Sequence, residues 1–286
     1  MENTSWINIA IACKCLGVAK ASYYYWLNTA EIRAAKLAEE DKIVAEIKQV
    51  FRASRKSYGY RKITKTLTKQ GNFVNHKKVL KLMRKHNLRS RVVKKFKATT
   101  YSKHDLAIFP NLLNRQFRVP KPNYAWVSDI TYCWTQEGWL YLATVIDLFA
   151  NKLVGYAMSD RINNALVIKA LSKALQTRGY PRGIIVHSDR GSQYASNAYK
   201  SLLKANNLLG SMSRKGNCWD NAVAEGFFSL IKKESLNHYN FKTRQEAKLV
   251  IFDYVEGWYN NHRIHSKINY LTPDKFEELN NNQLVA

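Results

Sequence analysis

The sequence predicts a mixed α/β sheet with helices on its faces, preceded by a small, strongly basic all-α region. Three observations carry this. From residue 121 onward three β-rich segments follow one another, and helical and strand-like stretches then alternate, an order that builds a helix-covered mixed sheet. Ahead of that point the apolar residues recur at helical spacing. The charge is also lopsided: residues 1–120 hold 26 Lys and Arg against 7 Asp and Glu, whereas residues 121–286 hold 20 against 14. Most of the net charge of +25 over 286 residues therefore sits in front of the sheet. A chain of this length has room for one large domain and one or two small ones.

Positive charge concentrated in this way marks the front of the chain as a surface for a polyanion. Nucleic acid is favoured over an anionic membrane, because no amphipathic helix with a large exposed apolar face stands out. Cys13, Cys15, Cys133 and Cys218 form no disulfide framework, and Cys13-x-Cys15 lacks a second pair at zinc spacing. His262-x-x-His265 likewise has no partner pair nearby, which leaves a structural or phosphate-contacting role. No apolar run reaches transmembrane length and the N-terminus has no signal-peptide layout, so a cytoplasmic protein is expected, bound to the nucleoid when on DNA.

Residues 7–28 predict a helix, a turn at Gly17 and a second helix opening at Ser22, with Ile7, Ile11 and Leu16 on one side and Tyr23 to Trp26 in the second helix. The spacing suits a helix-turn-helix and equally a helical hairpin packing its aromatics. This is a first segment, 1–30. From Asp41, Ile43, Val44, Ile47, Val50 and Phe51 form an amphipathic pattern, followed by SYGYRKITKTLTKQG and VNHKKVLKLMRKHNL. In the last stretch Val79, Leu82 and Met83 are apolar amid Lys77, Lys78, Lys81, Arg84 and Lys85. Charges of one sign, rather than alternating pairs, favour phosphate contacts over a merely solvated face. With Arg61 from the preceding stretch, they define a helix-turn-helix-like DNA-binding domain at 41–97. Arg89 to Lys103 is a basic stretch without a period, and Pro110 and Pro120 punctuate a linker at 98–120.

A second domain, 121–280, opens with strands at Trp126–Trp134, Leu140–Phe149 and Lys152–Asp160, the first two joined by a turn at Gly138. A helix at Asn163–Arg178, a strand at Ile184–Ser188, a helix near Asn197–Asn206 and a fifth strand in LLGSMS follow. A helix bearing Glu225 comes next, then a final aromatic helix, Thr243–Asn261, with Phe252, Tyr254, Trp258 and Tyr259, and a polar tail at Asn280–Gln283.

The chemistry sits in the acids of this domain. Asp189 ends the buried strand, and alternation places His187 on its face. Helical spacing puts Asn221, Glu225, Phe228 and Lys232 opposite the stripe Val223, Phe227, Leu230 and Ile231. Asp129 and Asp147 lie within otherwise apolar strands, where a carboxylate costs several kcal/mol unless paired or ligating a metal. Clustered carboxylates without His or Cys suit Mg2+ or Mn2+. Two such ions about 3.5–4 Å apart clamp the attacking and leaving oxygens of an in-line phosphoryl transfer.

WVSDITY, HSDRGSQY and NCWDNAVAEGFFSLIKKE, in this order, resemble the three acidic motifs of DDE transposases and retroviral-type integrases. The likeness is to the OrfB part of the insertion-sequence "three" family, and it extends over LGVAKASYYYW, SYGYRKI and YNNHRIHSKINYLTPDKF. The resemblance implies an RNase H-like five-stranded mixed sheet, with the first strand central and the first two acids on adjacent strands. It implies Asp129, Asp189 and Glu225 as catalytic metal ligands, with Lys232 near the DNA end. Arg190, Gln193, Tyr194 and Asn221 would border the site and touch or support DNA. Asp147 matches no catalytic position and is expected to be structural, and His187 to be a satisfied histidine near the site. The implied partners are double-stranded DNA, as terminal inverted repeats and target, and further copies of the chain on that DNA. The implied activity is strand cleavage followed by strand transfer, along a copy-out route in which one end first attacks beside the other.

The family's complete enzyme carries an upstream OrfA segment with a coiled coil, and no sustained heptad repeat is present here, so an OrfA segment or fusion is an expected partner. Two other classes compete. A nuclease of the same fold needs the acids but not the basic front, and a non-catalytic DNA-binding regulator leaves the three carboxylates without a purpose.

Overall fold

The computed structural model describes residues 8–91 and 107–284, and the chain divides between Arg89 and Ser90 into two compact units. The first is all-helical: α1 (Ile9–Cys15), α2 (Lys20–Asn28), α3 (Ala30–Ala53), α4 (Tyr60–Lys69) and α5 (His76–Lys85). Val44, Ile47, Val50 and Phe51 of α3, Ile63 and Leu67 of α4, and Val79, Leu82 and Met83 of α5 are buried, as are Cys13 and Tyr58. Asn75 caps α5 by accepting from the Lys77 N–H at 2.8 Å.

Two expectations for this unit are corrected. The helix expected from Asp41 begins at Ala30, because Ala30, Ala34, Ala35 and Ala38 favour helix although nothing before Val44 is buried. Residues 30–41 therefore join the expected first segment to the second within one helix. Ile7 lies outside the described residues; Ile11, Leu16, Tyr25 and Trp26 are exposed and α2 buries no residue, so Ile11 and Leu16 line no core and the aromatics of α2 form no hairpin core. The Arg33 guanidinium instead lies 4.4 Å over the Trp26 ring.

The second unit is built on β1 (Ala125–Thr135), β2 (Gly138–Asp147), β3 (Lys152–Ser159), α6 (Asn164–Thr177), β4 (Ile185–Ser188), α7 (Ser192–Ala195), α8 (Asn197–Ala205), β5 (Leu209–Met212), α9 (Ala222–Glu234), α10 (Arg244–Tyr254) and α11 (Pro273–Leu284). The five strands make one sheet in the order β3-β2-β1-β4-β5, with β1 central. β2 runs antiparallel to β1 and β3, and β4 runs parallel to β1 and β5. One face of the sheet is closed by α6, α7 and α8, whose Leu166, Val167, Ala170, Leu171, Tyr194 and Leu203 pack with Trp126, Ala143, Val145 and Val154. No helix among the described residues is long and apolar enough to cross a membrane.

The final helix differs from its expectation. α10 passes into a π-helical turn, Val255–Tyr259, and α11 follows later, so the polar tail Asn280–Gln283 belongs to a helix. Asn260, just after the π turn, donates to the Leu153 carbonyl at 2.8 Å and accepts from its N–H at 3.0 Å, satisfying the edge of β3. Tyr254, Trp258 and Tyr259 are buried, but Phe252 is exposed. Asp147 is structural: fully buried, it accepts from the Asn123 and Phe149 N–H groups and pairs with Arg178 at 3.1 Å. Arg178 also pairs with Glu277 of α11, which holds Lys152 at 2.8 Å.

β3 approaches α6 closely at Gly155, where a Cβ would stand 2.6 Å from the Ala174 nitrogen and 2.7 Å from its Cβ. Both atoms belong to a packed helix and cannot swing aside. Gly155→Ala is therefore expected to destabilise the second unit by about 1–3 kcal/mol, read as a lower midpoint in urea unfolding.

Candidate active site

Parallel pairing of β1 with β4 sets Val127 beside His187 and Ser128 beside Ser188, so the next residues in that register are Asp129 and Asp189. Asp129 is held within β1, its Oδ1 accepting from the Ile130 N–H at 2.7 Å. Asp189 lies in the turn after β4, where its Oδ1 accepts from the Gly191 N–H at 2.9 Å. Gly191 has little room for a side chain: a Cβ there would stand 3.0 Å from that oxygen. Glu225 comes from the first turn of α9, on an exposed position of the helix that packs against β1.

The three carboxylates feel one another. Burial, and then repulsion from Asp189, push the Asp129 carboxyl well above its ordinary range; Glu225 adds to this, while the Ile130 N–H and Lys232 oppose it. Burial and Asp189 also raise Glu225. A set of hard oxygen donors that repel one another fits a divalent cation of the Mg2+ or Mn2+ type. Among the described residues, no group of three or more His, Cys, Asp or Glu side chains is close enough to hold an ion as it stands. The donor chemistry fits, and the ligand cage is not drawn together.

Lys232 lies two turns along α9 from Glu225, its Nζ 4.9 Å from the Tyr132 ring centroid. Burial lowers its pKa, opposed by Tyr132, Cys133 and Asp129. It is thus half-buried within reach of the first acid's field, rather than extended into solvent. Phe228, expected on the same polar face, is buried, because α9 packs against both β1 and the turn at Leu236–His238 and needs a wider apolar arc.

The expected bordering residues separate. Arg190 donates to the Ser213 carbonyl at 2.7 Å, and Gln193 is half-buried near Gly191. Tyr194 cannot lie at a DNA surface: it is 1% exposed, its hydroxyl 3.0 Å from Ser128 Oγ and its ring edge-on to Tyr199. Asn221, at 3% exposure, is buried with Asp220 in the tight turn Cys218–Asn221. Sequence reasoning passed over Asp220, which is fully buried between Arg115 and Arg214. It stands in the third motif, but one of those arginines is 105 residues away.

His187 is fully buried, with Nδ1 2.8 Å from Ser211 Oγ and Nε2 3.2 Å from Ser213 Oγ. Burial pushes its pKa down to about 4, so the folded state stays unprotonated where an unfolded histidine, near 6.5, already binds a proton. Its contribution to stability is complete above about pH 6.5 and is lost as pH falls toward 4, with a slope of up to about 1.4 kcal/mol per pH unit. His187→Gln is expected to flatten this part of the stability–pH curve, measured by urea unfolding between those limits.

In the first unit, Lys77, Lys78, Lys81, Arg84 and Lys85 are all exposed along α5, opposite its buried Val79, Leu82 and Met83. Lys85 pairs with Glu40 of α3 at 2.6 Å and Lys78 lies 3.7 Å from Glu39. Arg61 of α4 is exposed, its Nε 3.1 Å from the Tyr60 hydroxyl.

Acids on a mixed sheet and its flanking helix, in a chain whose first unit is helical and basic, point to a DNA-processing class, and comparison with known proteins agrees. Residues 119–218 and 225–280 match two models of the integrase core domain, and residues 38–96 match an HTH-like domain. The chain is 41% identical, over 93% of its length and 97% of the relative's, to the insertion element IS600 uncharacterized 31 kDa protein of Shigella sonnei. It is 38% identical, over 96% of its length and 95% of the relative's, to the transposase InsF for insertion sequence IS3A of Escherichia coli. Among solved structures, a chain of the simian T-cell lymphotropic virus intasome in complex with PP2A regulatory subunit B56 gamma covers 75% of this chain and 70% of its own, with a TM-score of 0.48 at 16% identity. That last likeness is loose. The chain belongs to the IS3 family of transposases, DNA-binding enzymes with an integrase core.

Proposed function

We propose that Asp129, Asp189 and Glu225 are the catalytic carboxylates of this transposase and together hold divalent cations, two ions of Mg2+ or Mn2+. The observation that supports this is electrostatic: Asp129 and Asp189 follow the paired register of β1 and β4, and the charges of Asp189 and Glu225 both raise the Asp129 carboxyl. Ions held by these three carboxylates would supply Lewis-acid activation of an attacking oxygen and charge stabilisation of the leaving oxygen in an in-line phosphoryl transfer. The chain's own part is to fix the donors. β1 and the Ile130 N–H aim Asp129, the turn at Gly191 aims Asp189, and α9 carries Glu225. Lys232, steadied on Tyr132, offers a cation to a phosphate near the reactive end. A first cut at an element end by water frees a 3′-hydroxyl. Directed at a second phosphodiester, that hydroxyl joins strands without ATP or a covalent enzyme intermediate. The DNA is the element's terminal inverted repeats and the target duplex, held by several copies of the chain in the cytoplasm.

Asp129→Asn, Asp189→Asn and Glu225→Gln each remove a ligand charge at nearly constant volume. Each is expected to abolish cleavage and strand transfer on paired element ends while leaving the DNA dissociation constant unchanged. Near wild-type cleavage by any one of them would remove that residue from the site.

The basic face of α5 is the proposed phosphate-contacting surface of the first unit. Because Lys78 and Lys85 face Glu39 and Glu40, the larger effect is expected from Lys77, Lys81 and Arg84. Neutralising those three in the full chain should flatten the slope of log K against log[salt] by up to about 0.9 per lost phosphate contact. An unchanged slope would return α5 to a solvated face.

A further inference from the structure

We infer that Asp220 is a positioning residue for the core reaction: its buried carboxylate ties the start of α9, and with it Glu225, to the 107–117 segment and to Arg214. The inference rests on the reading of Glu225 as the third carboxylate. Asp220 precedes the start of α9 by two residues and Glu225 by five, and it is fully buried. Its Oδ1 accepts from Arg115 Nε at 2.7 Å and Arg214 Nη2 at 2.8 Å. Its Oδ2 accepts from Asn111 Nδ2 at 3.0 Å, Arg214 Nε at 2.9 Å and the Arg214 N–H at 2.9 Å. These are charge-assisted bonds, directional and stronger than neutral ones. The arginines hold the carboxyl well below its ordinary range, Arg214 foremost.

The anchor is itself anchored. Leu113 is buried, and the Leu112 and Leu113 N–H groups donate to Ser211 Oγ of β5 at 2.9 and 3.3 Å. The Phe109 ring fills the space above Gly210, where a Cβ would stand 2.6 Å from it. The 107–117 segment is thus fastened along the β5 edge, and Asp220 transfers that fixed position to α9.

α9 needs this, because its own start supplies no hold. Asn221, in the N-cap position, makes no side-chain cap bond, and both polar atoms of its side chain are buried without a partner. The far end is fixed in the same manner. Glu234 accepts from Arg263 Nη2 at 2.7 Å and Nε at 2.9 Å, and from the Tyr254 hydroxyl at 2.9 Å. Between these two clamps Glu225 projects from a helix whose N-cap side chain makes no bond. Asp129 and Asp189 are set by the sheet and its turn, so the relative place of the third acid is set by Asp220.

The test uses the full chain, with Mn2+ binding followed by electron paramagnetic resonance and hydrogen exchange of the amides of residues 222–228. Asp220→Asn is expected to weaken Mn2+ binding by about 10- to 100-fold and to speed that exchange, with the DNA dissociation constant unchanged. Arg115→Gln, which leaves Arg214 on Asp220, should move both readouts in the same direction by less, and it carries the test if Asp220→Asn does not fold. Glu277→Gln, which breaks the buried ion pairs of α11 with Arg178 and Lys152, is the control for lost stability alone. It should lower the melting temperature without changing Mn2+ binding. Wild-type Mn2+ binding and exchange in Asp220→Asn, or an equal weakening in Glu277→Gln, would overturn the inference. Glu225→Gln distinguishes the two levels. If it leaves Mn2+ binding unchanged, the reading of Glu225 fails and takes this inference with it. If it weakens binding while Asp220→Asn does not, this inference alone fails.

Discussion

The parallel pairing of β1 with β4 is the constraint on which the rest of the second unit depends. These strands are joined only through β2, β3 and α6, so their register is imposed by the whole sheet rather than by a turn. That register places Asp129 beside Asp189. The cost is electrostatic: burial, and then repulsion from Asp189, drive the Asp129 carboxyl upward. Removing either charge would relieve this strain, so its presence points to a charge-balancing partner. An unfavourable group held on the central strand of the sheet supports the proposed catalytic reading of Asp129.

The third carboxylate is placed by different physics. α9 is not part of the sheet, and hydrogen bonding within the helix cannot fix its direction. Two ion-pair networks around buried carboxylates do so, with partners contributed by segments before β1 and after α10. Such networks add little net stability, since desolvation offsets much of the attraction. They do add specificity of position, because a carboxylate among several donors tolerates few geometries. The contrast with Asp147 is informative. That acid is as buried as Asp220 and also hydrogen-bonded, but it ties Arg178 to the end of β2 and leaves the three acids alone.

The first unit shows how a charge count overstates a binding surface. Its α5 has the one-sided basic face expected from the pattern, over a buried Val79, Leu82 and Met83. Two of its lysines nevertheless face Glu39 and Glu40 of α3. Exposed pairs of this kind contribute little to stability and are screened by salt. They still lower the field available to a phosphate, and they direct attention to Lys77, Lys81 and Arg84.

What the sequence by itself determined were the features with a short-range signature. β-branched and aromatic runs marked five strands, helical spacing marked the buried stripe of α5, and acids within apolar strands stood out because burial of a carboxylate demands a reason. Even Asp147 could be set aside as structural from its place outside the three motifs. The tertiary structure decided whatever needed a distant partner. The Asp220 clamp is invisible in sequence because Asn111 and Arg115 lie more than a hundred residues earlier. Tyr194 and Asn221 looked like surface residues among polar neighbours, yet packing buried both, Tyr194 against Tyr199 and Asn221 in the turn beside Asp220. The start of α3 was missed for the opposite reason: its alanines make helix by propensity alone, without the apolar period that reports a buried face. Periodicity records which side of an element meets a core, whereas pairing between remote charges and the depth of each side chain depend on how those elements are assembled.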